Sequence, residues 1–390
     1  MTPCHFHPRD LTMRARIAAT AMSNQQANQL TETKYWVAFN RIGGIGRVRY
    51  QAMLAHFGSL SRAWVATRSE LTAAGLDQHA VRLISDRRDA IDPAAEMETL
   101  LGEGITPLTW EDQGYPARLK EISDPPPVLY IRGNLAASDD LAVAVVGTRR
   151  PTPYGRQVAE EMAQQLAANR LTIVSGLARG VDAIAHRAAL QTGGRTIAVM
   201  ACGLDMVYPP EHARLSREVS ESGVLISEQP LGTQPRGDYF PRRNRILSGL
   251  SLGVLVIEAD HKSGAMITAR EALDNNREVF AIPGSVFSPQ SRGTNAAIQR
   301  GEAKLVLTVE DILEELNLTS APQQIEMQEL VPPTDTEAQV LRHLSREAAH
   351  INDVCRISGL PAATVSSLLA MMELKGIVKQ TAPAAYVRAR

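Results

Sequence analysis

A chain of 390 residues has room for two or three domains and at least one large core. A hydrophobic share of 44%, a charged share of 21% and a formal net charge of −1 make an ordinary soluble composition. They exclude a protein that coats nucleic acid by bulk charge, so any polyanion site must be a local patch.

The three cysteines, Cys4, Cys202 and Cys355, stand far apart without metal-type spacing and fit reduced cytosolic thiols. No uninterrupted apolar run approaches the length of a membrane span. Residues 1–30 hold charges and amides but no hydrophobic signal core, and are expected to be a disordered leader, with Met13 and Met22 as alternative starts.

Residues 31–105 read as a small helical domain. Apolar side chains recur at helical spacing through Trp36, Val37, Phe39 and Ile42, then through Val48, Met53, Leu54 and Phe57. Between them, Ile42-Gly43-Gly44-Ile45-Gly46-Arg47 resembles a helix-hairpin-helix turn. Two uses are open for it: backbone N–H groups offered to a phosphate, or a tight turn made for packing. Leu108 to Asn134 is extended and punctuated by prolines, notably at Asp124-Pro125-Pro126-Pro127, and is expected to be a stiff connector leading into an edge strand.

From Leu141 short apolar runs alternate with amphipathic segments. Buried parallel strands are predicted at Ala142–Val146, Thr172–Ser175, Thr196–Met200, Val224–Ser227, Gly253–Ile257 and Val279–Ile282. Helices are predicted near 155–168, 181–191, 211–222, 242–249, 265–275 and 294–300. This is the signature of an α/β, doubly wound sheet, whose ligands sit beyond the carboxyl ends of the strands at a topological switch point.

The residues just after each strand make a consistent set. They include Gly147, Thr148 and Arg149; Ser175, Gly176 and Arg179; and, after Glu258, the residues Lys262, Ser263 and Gly264. Glycine lets a backbone approach an anion closely, and the hydroxyls and cations supply donors. Phe240-Pro-Arg-Arg-Asn-Arg-Ile246 adds an aromatic ring, Arg242, Arg243, Asn244 and Arg245. With Pro241 opening a helix, three arginines would crowd its positive end, a placement that a phosphate offsets. The alternative is a solvated basic turn paired with carboxylates such as Asp238.

Other signals are weaker. Gly147-Thr148-Arg149 lacks the further glycines of a dinucleotide fingerprint, and no P-loop sequence occurs. Asp182 reads as a cap and His186 as a core histidine. No His/Asp/Glu arrangement has persuasive metal spacing and no serine or cysteine has a recognisable base beside it, so no cofactor or metal is expected. A phosphate-binding rim without a chemical engine favours binding over catalysis.

In order and spacing, Gly147-Thr148-Arg149, Ser175-Gly-Leu-Ala-Arg-Gly-Val-Asp182, Phe240-Pro-Arg-Arg-Asn-Arg-Ile246 and Ser263-Gly-Ala-Met-Ile-Thr-Ala269 together resemble the bacterial DNA-processing protein A family (DprA/Smf). Asp124-Pro-Pro-Pro-Val-Leu-Tyr130 and Phe280-Ala-Ile-Pro-Gly284 extend the likeness. The resemblance implies an extended Rossmann-like domain over 106–316, a sterile-alpha-motif-like domain before it, and often a C-terminal winged helix.

It implies a cytoplasmic, non-enzymatic, homodimeric protein of natural transformation. Such a protein binds and protects incoming single-stranded DNA and helps load the RecA recombinase. The family's positive pocket maps onto Arg149, Arg179, Arg242, Arg243 and Arg245, with Lys262 and Ser263 beside them. Phe240 is then either a base-stacking platform or a core anchor.

Residues 317–334, with Pro322, Pro332 and Pro333, read as a linker, and 335–390 fit a winged helix. Its helices are expected through Leu344, over Ile351–Ser358 and from Pro361, with a wing after Gly376. The third helix, from Ala362 to Leu374, has no Lys or Arg, which points to protein docking or an auxiliary DNA contact rather than reading of base edges. Two competing functions remain. One is a phosphoribohydrolase-like enzyme, although Lys262-Ser263-Gly264-Ala265 stands where its Pro-Gly-Gly-x-Gly-Thr loop would be. The other is a duplex-DNA regulator acting through the winged helix.

Overall fold

In a computed structural model the described residues are 32–318, 335–345, 349–374, 378–382 and 384–388. The expected leader, and residues 319–334 of the expected linker, lie outside them. The chain divides into two units, one up to Val309 and one from Glu310 onward.

The first unit begins with helices α1 (32–42), α2 (Arg47–Phe57), α3 (Leu60–Val65), α4 (Arg68–Ala73), α5 (Gln78–Arg87) and α6 (Pro93–Gly102). Local chemistry sets their ends. Thr67 and Glu70 form a capping box at α4, and Asp92 caps α6 with Pro93 at its first position. The turn between α1 and α2 has Gly43 and Gly44 at φ of 75° and 71°. Arg87 donates to the Ile42 carbonyl at 2.6 Å and Arg49 to the Gly44 carbonyl, so the turn's acceptors are spent on packing.

Trp36 stacks on Tyr50 at 5.2 Å and meets Trp110 edge-on at 5.3 Å. Because Trp110 directly follows the first strand, the helical layer and the sheet share one apolar core.

The sheet has nine strands: β1 (Thr106–Thr109), β2 (Val128–Gly133), β3 (Ala142–Val146), β4 (Thr172–Ser175), β5 (Thr196–Val199), β6 (Val224–Ser227), β7 (Gly253–Val256), β8 (Glu278–Ala281) and β9 (Lys304–Leu305). Their spatial order is β1-β2-β6-β5-β4-β3-β7-β8-β9. From β6 to β9 every neighbouring pair is parallel. The chain winds outward from β3 to β6, returns to β7 on the other side of β3, and winds outward again. The strand order therefore reverses between β3 and β7.

Helices α7 (Ala117–Lys120), α8 (Pro153–Ala168), α9 (Val181–Gln191), α10 (Ala213–Ser222), α11 (Tyr239–Leu250), α12 (Gly264–Asp274) and α13 (Arg292–Gln299) fall within this region, and α14 (Val309–Glu315) follows in sequence.

The proline-rich lead-in departs from expectation. It is not a connector with an edge strand but two antiparallel strands, of which β1 and not β2 lies at the sheet's edge. Val128, Leu129 and Tyr130 of β2 are fully buried between β1 and β6. Prolines 125–127 stop just before the strand, and Pro107 sits on the edge strand, where a missing N–H is tolerated.

The second unit holds α15 (Asp335–Leu341), β10 (Ala349–His350), α16 (Ile351–Ser358), α17 (Ala362–Leu374), β11 (Val378–Ala382) and β12 (Ala385–Arg388). The strands form a small sheet in the order β10-β12-β11, the arrangement of a winged helix. Val340, Leu344, Val354, Val365, Leu369 and Met372 make its core. The first helix stops at Leu341, three residues earlier than expected. Among the described residues no single helix is long and apolar enough to cross a membrane.

Candidate functional site

The loops after β3 and β7 interlock at the switch point. The Thr148 N–H donates to the Glu258 carbonyl at 2.7 Å, and the Val181 N–H returns to the Thr148 carbonyl at 3.3 Å. A Cβ on Gly147 would lie 2.6 Å from Val181 Cγ2, and one on Gly180 would lie 2.4 Å from the Thr148 oxygen. Gly180 also has φ of +77°, so glycine is required there twice over. The Glu258 carboxylate is buried and accepts from the Thr152 N–H at 2.9 Å and its hydroxyl at 2.6 Å. That carboxylate is the anion at the start of α8.

Beside this interlock lies a pocket of about 220 Å³ walled by Arg149, Phe240, Arg243 and the first turn of α12. Ser263 caps α12 by accepting from the Ala265 N–H at 3.2 Å. A Cβ on Gly264 would meet nothing within 4 Å, so this helix start faces open space. The Arg149 guanidinium lies over the Phe240 ring, 5.4 Å from its centroid, and Tyr208 packs beside the same ring at 5.7 Å. An open helix N-terminus, an exposed arginine and an aromatic face converge here, a set suited to a phosphate with a flat group attached.

Arg243 is only 6% exposed. One of its terminal nitrogens donates to the carbonyls of Gly176 at 2.8 Å and Val199 at 2.5 Å, and its Nε donates to Asn244 at 3.2 Å. It ties α11 to the carboxyl ends of β4 and β5. Asp182 accepts from the Gly176 and Ala178 N–H groups and is buried. Burial pushes the Asp182 carboxyl above the usual range, with the nearby Arg243 charge opposing. Burial pulls Arg243 down in turn, with Asp182 opposing.

His186 is also fully buried. The Thr196 hydroxyl donates to the Ile173 carbonyl, so the His186 Nδ1 at 2.7 Å must be the donor to that hydroxyl. Burial, then the neighbouring His212, Arg243 and Arg187, pull His186 down to about 3, and its ring is neutral near pH 7.

Of the residues singled out in the sequence, Gly147, Arg149, Phe240, Arg243, Asn244, Ser263 and Gly264 line this pocket. Others serve as scaffold. Thr148 belongs to the interlock, the Ser175 hydroxyl is spent on the Val145 carbonyl at 2.7 Å, and the Gly176 N–H and carbonyl are taken by Asp182 and Arg243. Arg242 and Lys262 are exposed but do not line the pocket.

Arg245 departs most from expectation. It is held bidentately by Glu228 at 2.7 and 3.0 Å and by Asp124 at 3.2 Å, with 14% of its side chain exposed. Arg179 opens onto a neighbouring basin and pairs with Glu211 at 2.5 Å.

The expectation that Pro241 opens the helix also shifts. α11 begins at Tyr239, which puts Pro241 third, still within the turn whose N–H groups lack intrahelical partners. The sequence reading missed Glu258 as an anchor, Tyr208 as the second ring, and Arg150, Arg156 and Arg187 on the basin. Spacing offered one clue: Arg187 stands one turn beyond Ala183 and Ile184 on one face of α9.

A doubly wound parallel sheet with a pocket at its switch point defines a Rossmann-like protein. The model of the DNA recombination-mediator protein A family matches residues 106–317, and that of the DprA winged helix domain matches 324–382. Protein Smf of Synechocystis is 33% identical over 92% of this chain and 99% of its own length, and Protein Smf of Escherichia coli 38% over 84% and 90%. The chain belongs to the DNA recombination-mediator protein A family.

Among solved structures, DNA processing protein A of Streptococcus pneumoniae is similar with a TM-score of 0.64 at 36% identity, over 72% of this chain and 97% of that one. The Helicobacter pylori protein, whose structure is described in terms of its single-stranded DNA binding mode, has a TM-score of 0.50 at 34% identity, over 55% and 95%.

Proposed function

We propose that this chain binds single-stranded DNA through the switch-point pocket, protecting strands taken up in natural transformation and helping to load RecA onto them. The observation that carries the reading is the Arg149–Phe240 pair beside the open start of α12. It offers a phosphate a guanidinium and helix N–H groups, and offers the attached base a ring, the combination that tracks single strands without reading sequence. The description of the Helicobacter pylori relative supports the same assignment.

The protein acts in the cytoplasm as a homodimer and turns over no substrate. The neutral, buried ring of His186 and the buried carboxyl of Asp182, both already hydrogen-bonded, are poorly placed as general bases, which supports binding over catalysis. The winged helix docks protein or adds an auxiliary DNA contact.

The test is fluorescence anisotropy of the full chain with a labelled oligothymidylate against a duplex competitor, for wild type and Arg149→Ala. Single strands should bind preferentially, and the variant should bind them more than tenfold more weakly with a melting temperature within a few degrees of wild type. Equal affinity of variant and wild type would refute the pocket assignment. Preferential duplex binding would refute the strand assignment.

A further inference from the structure

The switch-point pocket does not account for all of the positive charge at this end of the sheet. A second cavity of about 460 Å³, sharing Arg149 with the first, is lined by Arg150, Arg156, Arg179, Arg187 and His212. Arg150 follows the interlocked loop after β3, Arg156 lies near the start of α8, and Arg187 lies on α9, so three separate segments aim cations at one basin.

Among the described residues, no salt bridge or hydrogen bond engages the guanidinium groups of Arg150, Arg156 or Arg187, and all three residues are exposed; Arg150 only donates its backbone N–H to the Thr148 hydroxyl at 3.2 Å. Arg179 has a single counter-ion, Glu211 at 2.5 Å. His212 spends its Nδ1 on the Leu177 carbonyl at 2.8 Å and brings no negative charge.

Cations gathered in one basin repel one another. The arrangement is disfavoured unless an anion is bound. Several guanidinium groups spread over two helices and a loop match several phosphates at intervals better than one compact anion. Arg149, common to both cavities, makes the two continuous.

We propose that this arginine basin is a second backbone-binding subsite, in which consecutive phosphodiesters of a single strand leave the switch-point pocket past Arg149 and run between Arg156 and Arg187. The inference rests on the single-strand reading above and extends its footprint. It makes Arg150, Arg156 and Arg187 positioning contacts without base preference, because guanidinium groups on phosphates carry no sequence information.

The test measures anisotropy of a labelled twenty-residue oligothymidylate over a salt series, with the full chain and the double variant Arg156→Gln, Arg187→Gln. Both positions are exposed and glutamine is a good helix former, so the variant should melt no lower than wild type. The variant should bind on the order of tenfold more weakly at moderate salt. Its plot of log affinity against log salt should flatten by about 1.4, two phosphates at about 0.7 each.

If wild type binds and the variant shows the same affinity and slope, the basin is no subsite and the pocket reading stands. If wild type binds no single strand, the reading itself falls and the basin with it. A parallel arm uses adenosine triphosphate as competitor. If it binds wild type more tightly than the oligonucleotide and the variant loses it, the basin serves a small polyphosphate and the strand path is overturned.

Discussion

Arg149 and Phe240 form one surface: the guanidinium lies 5.4 Å from the ring centroid, on the rim of the switch-point pocket. A cation held over an aromatic face is oriented before any ligand arrives, at a gain of roughly 0.5–1 kcal/mol for an exposed pair. A phosphate contact and a stacking platform are thereby coupled. Phe240→Ala should weaken single-strand binding roughly five- to a hundredfold, the range for one stacked base. Combined with Arg149→Ala, the losses should be less than additive, since each variant also disturbs the other's contact. A double-mutant cycle by anisotropy checks this. Strict additivity would mean the two residues act independently.

Arg243 should behave differently from its neighbours in the same motif. Removing its side chain leaves the Gly176 and Val199 carbonyls without that partner and strips the buried Asp182 of a nearby positive charge. Arg243→Ala should therefore cost roughly 3 kcal/mol or more of stability. Urea unfolding measures it. A stable variant that only binds DNA poorly would contradict the strut role.

Glu211 competes with any phosphate for Arg179, at 2.5 Å and in full view of solvent. Its own carboxyl is held below the usual range, first by the Arg179 hydrogen bond, so it stays charged at neutral pH. Glu211→Gln should tighten single-strand binding by a few fold, most clearly at low salt, where exposed charges are least screened. Weaker binding by this variant would show that Glu211 supports the site rather than opposing it.

His186 couples stability to pH. Unfolded, its imidazole takes a proton near 6.5; in the fold it does so only near 3. Between these values the unfolded chain holds more protons, so this contribution is fully present above 6.5 and drains away as pH falls toward 3. His186→Asn, which keeps a donor for Thr196, should show a shallower loss of unfolding free energy between pH 7.5 and 5. An unchanged slope would place the pH dependence elsewhere.

Legibility in the sequence followed physical locality. Six of the seven parallel strands and their helices were readable to within a few residues because each is a short apolar or amphipathic run with its own boundaries, while the two-residue β9 offers no such run. The pocket residues were readable where glycine or arginine stands directly after a strand. Residues whose role depends on distant partners were not. Arg243 and Arg245 sit two positions apart in one motif, yet one is a buried strut and the other is clamped by Glu228 and Asp124. Nothing local separates them. Glu258 read as one more polar residue on the rim until Thr152, over a hundred positions away, appeared as its partner. The lead-in was misjudged because its prolines obscured a strand that is buried on both sides.

That buried strand governs how the chain can be shortened. A fragment starting just before β3 would retain every strand of the parallel sheet but leave the edge of β6 without β2, exposing its unpaired backbone groups beside apolar side chains. Such a fragment should aggregate, whereas the full chain should remain dispersed, as light scattering can show. Limited proteolysis should spare the stretch from Val128 to Gly133 despite its proline-rich approach. The segment that reads as a tether thus seals the sheet's open flank.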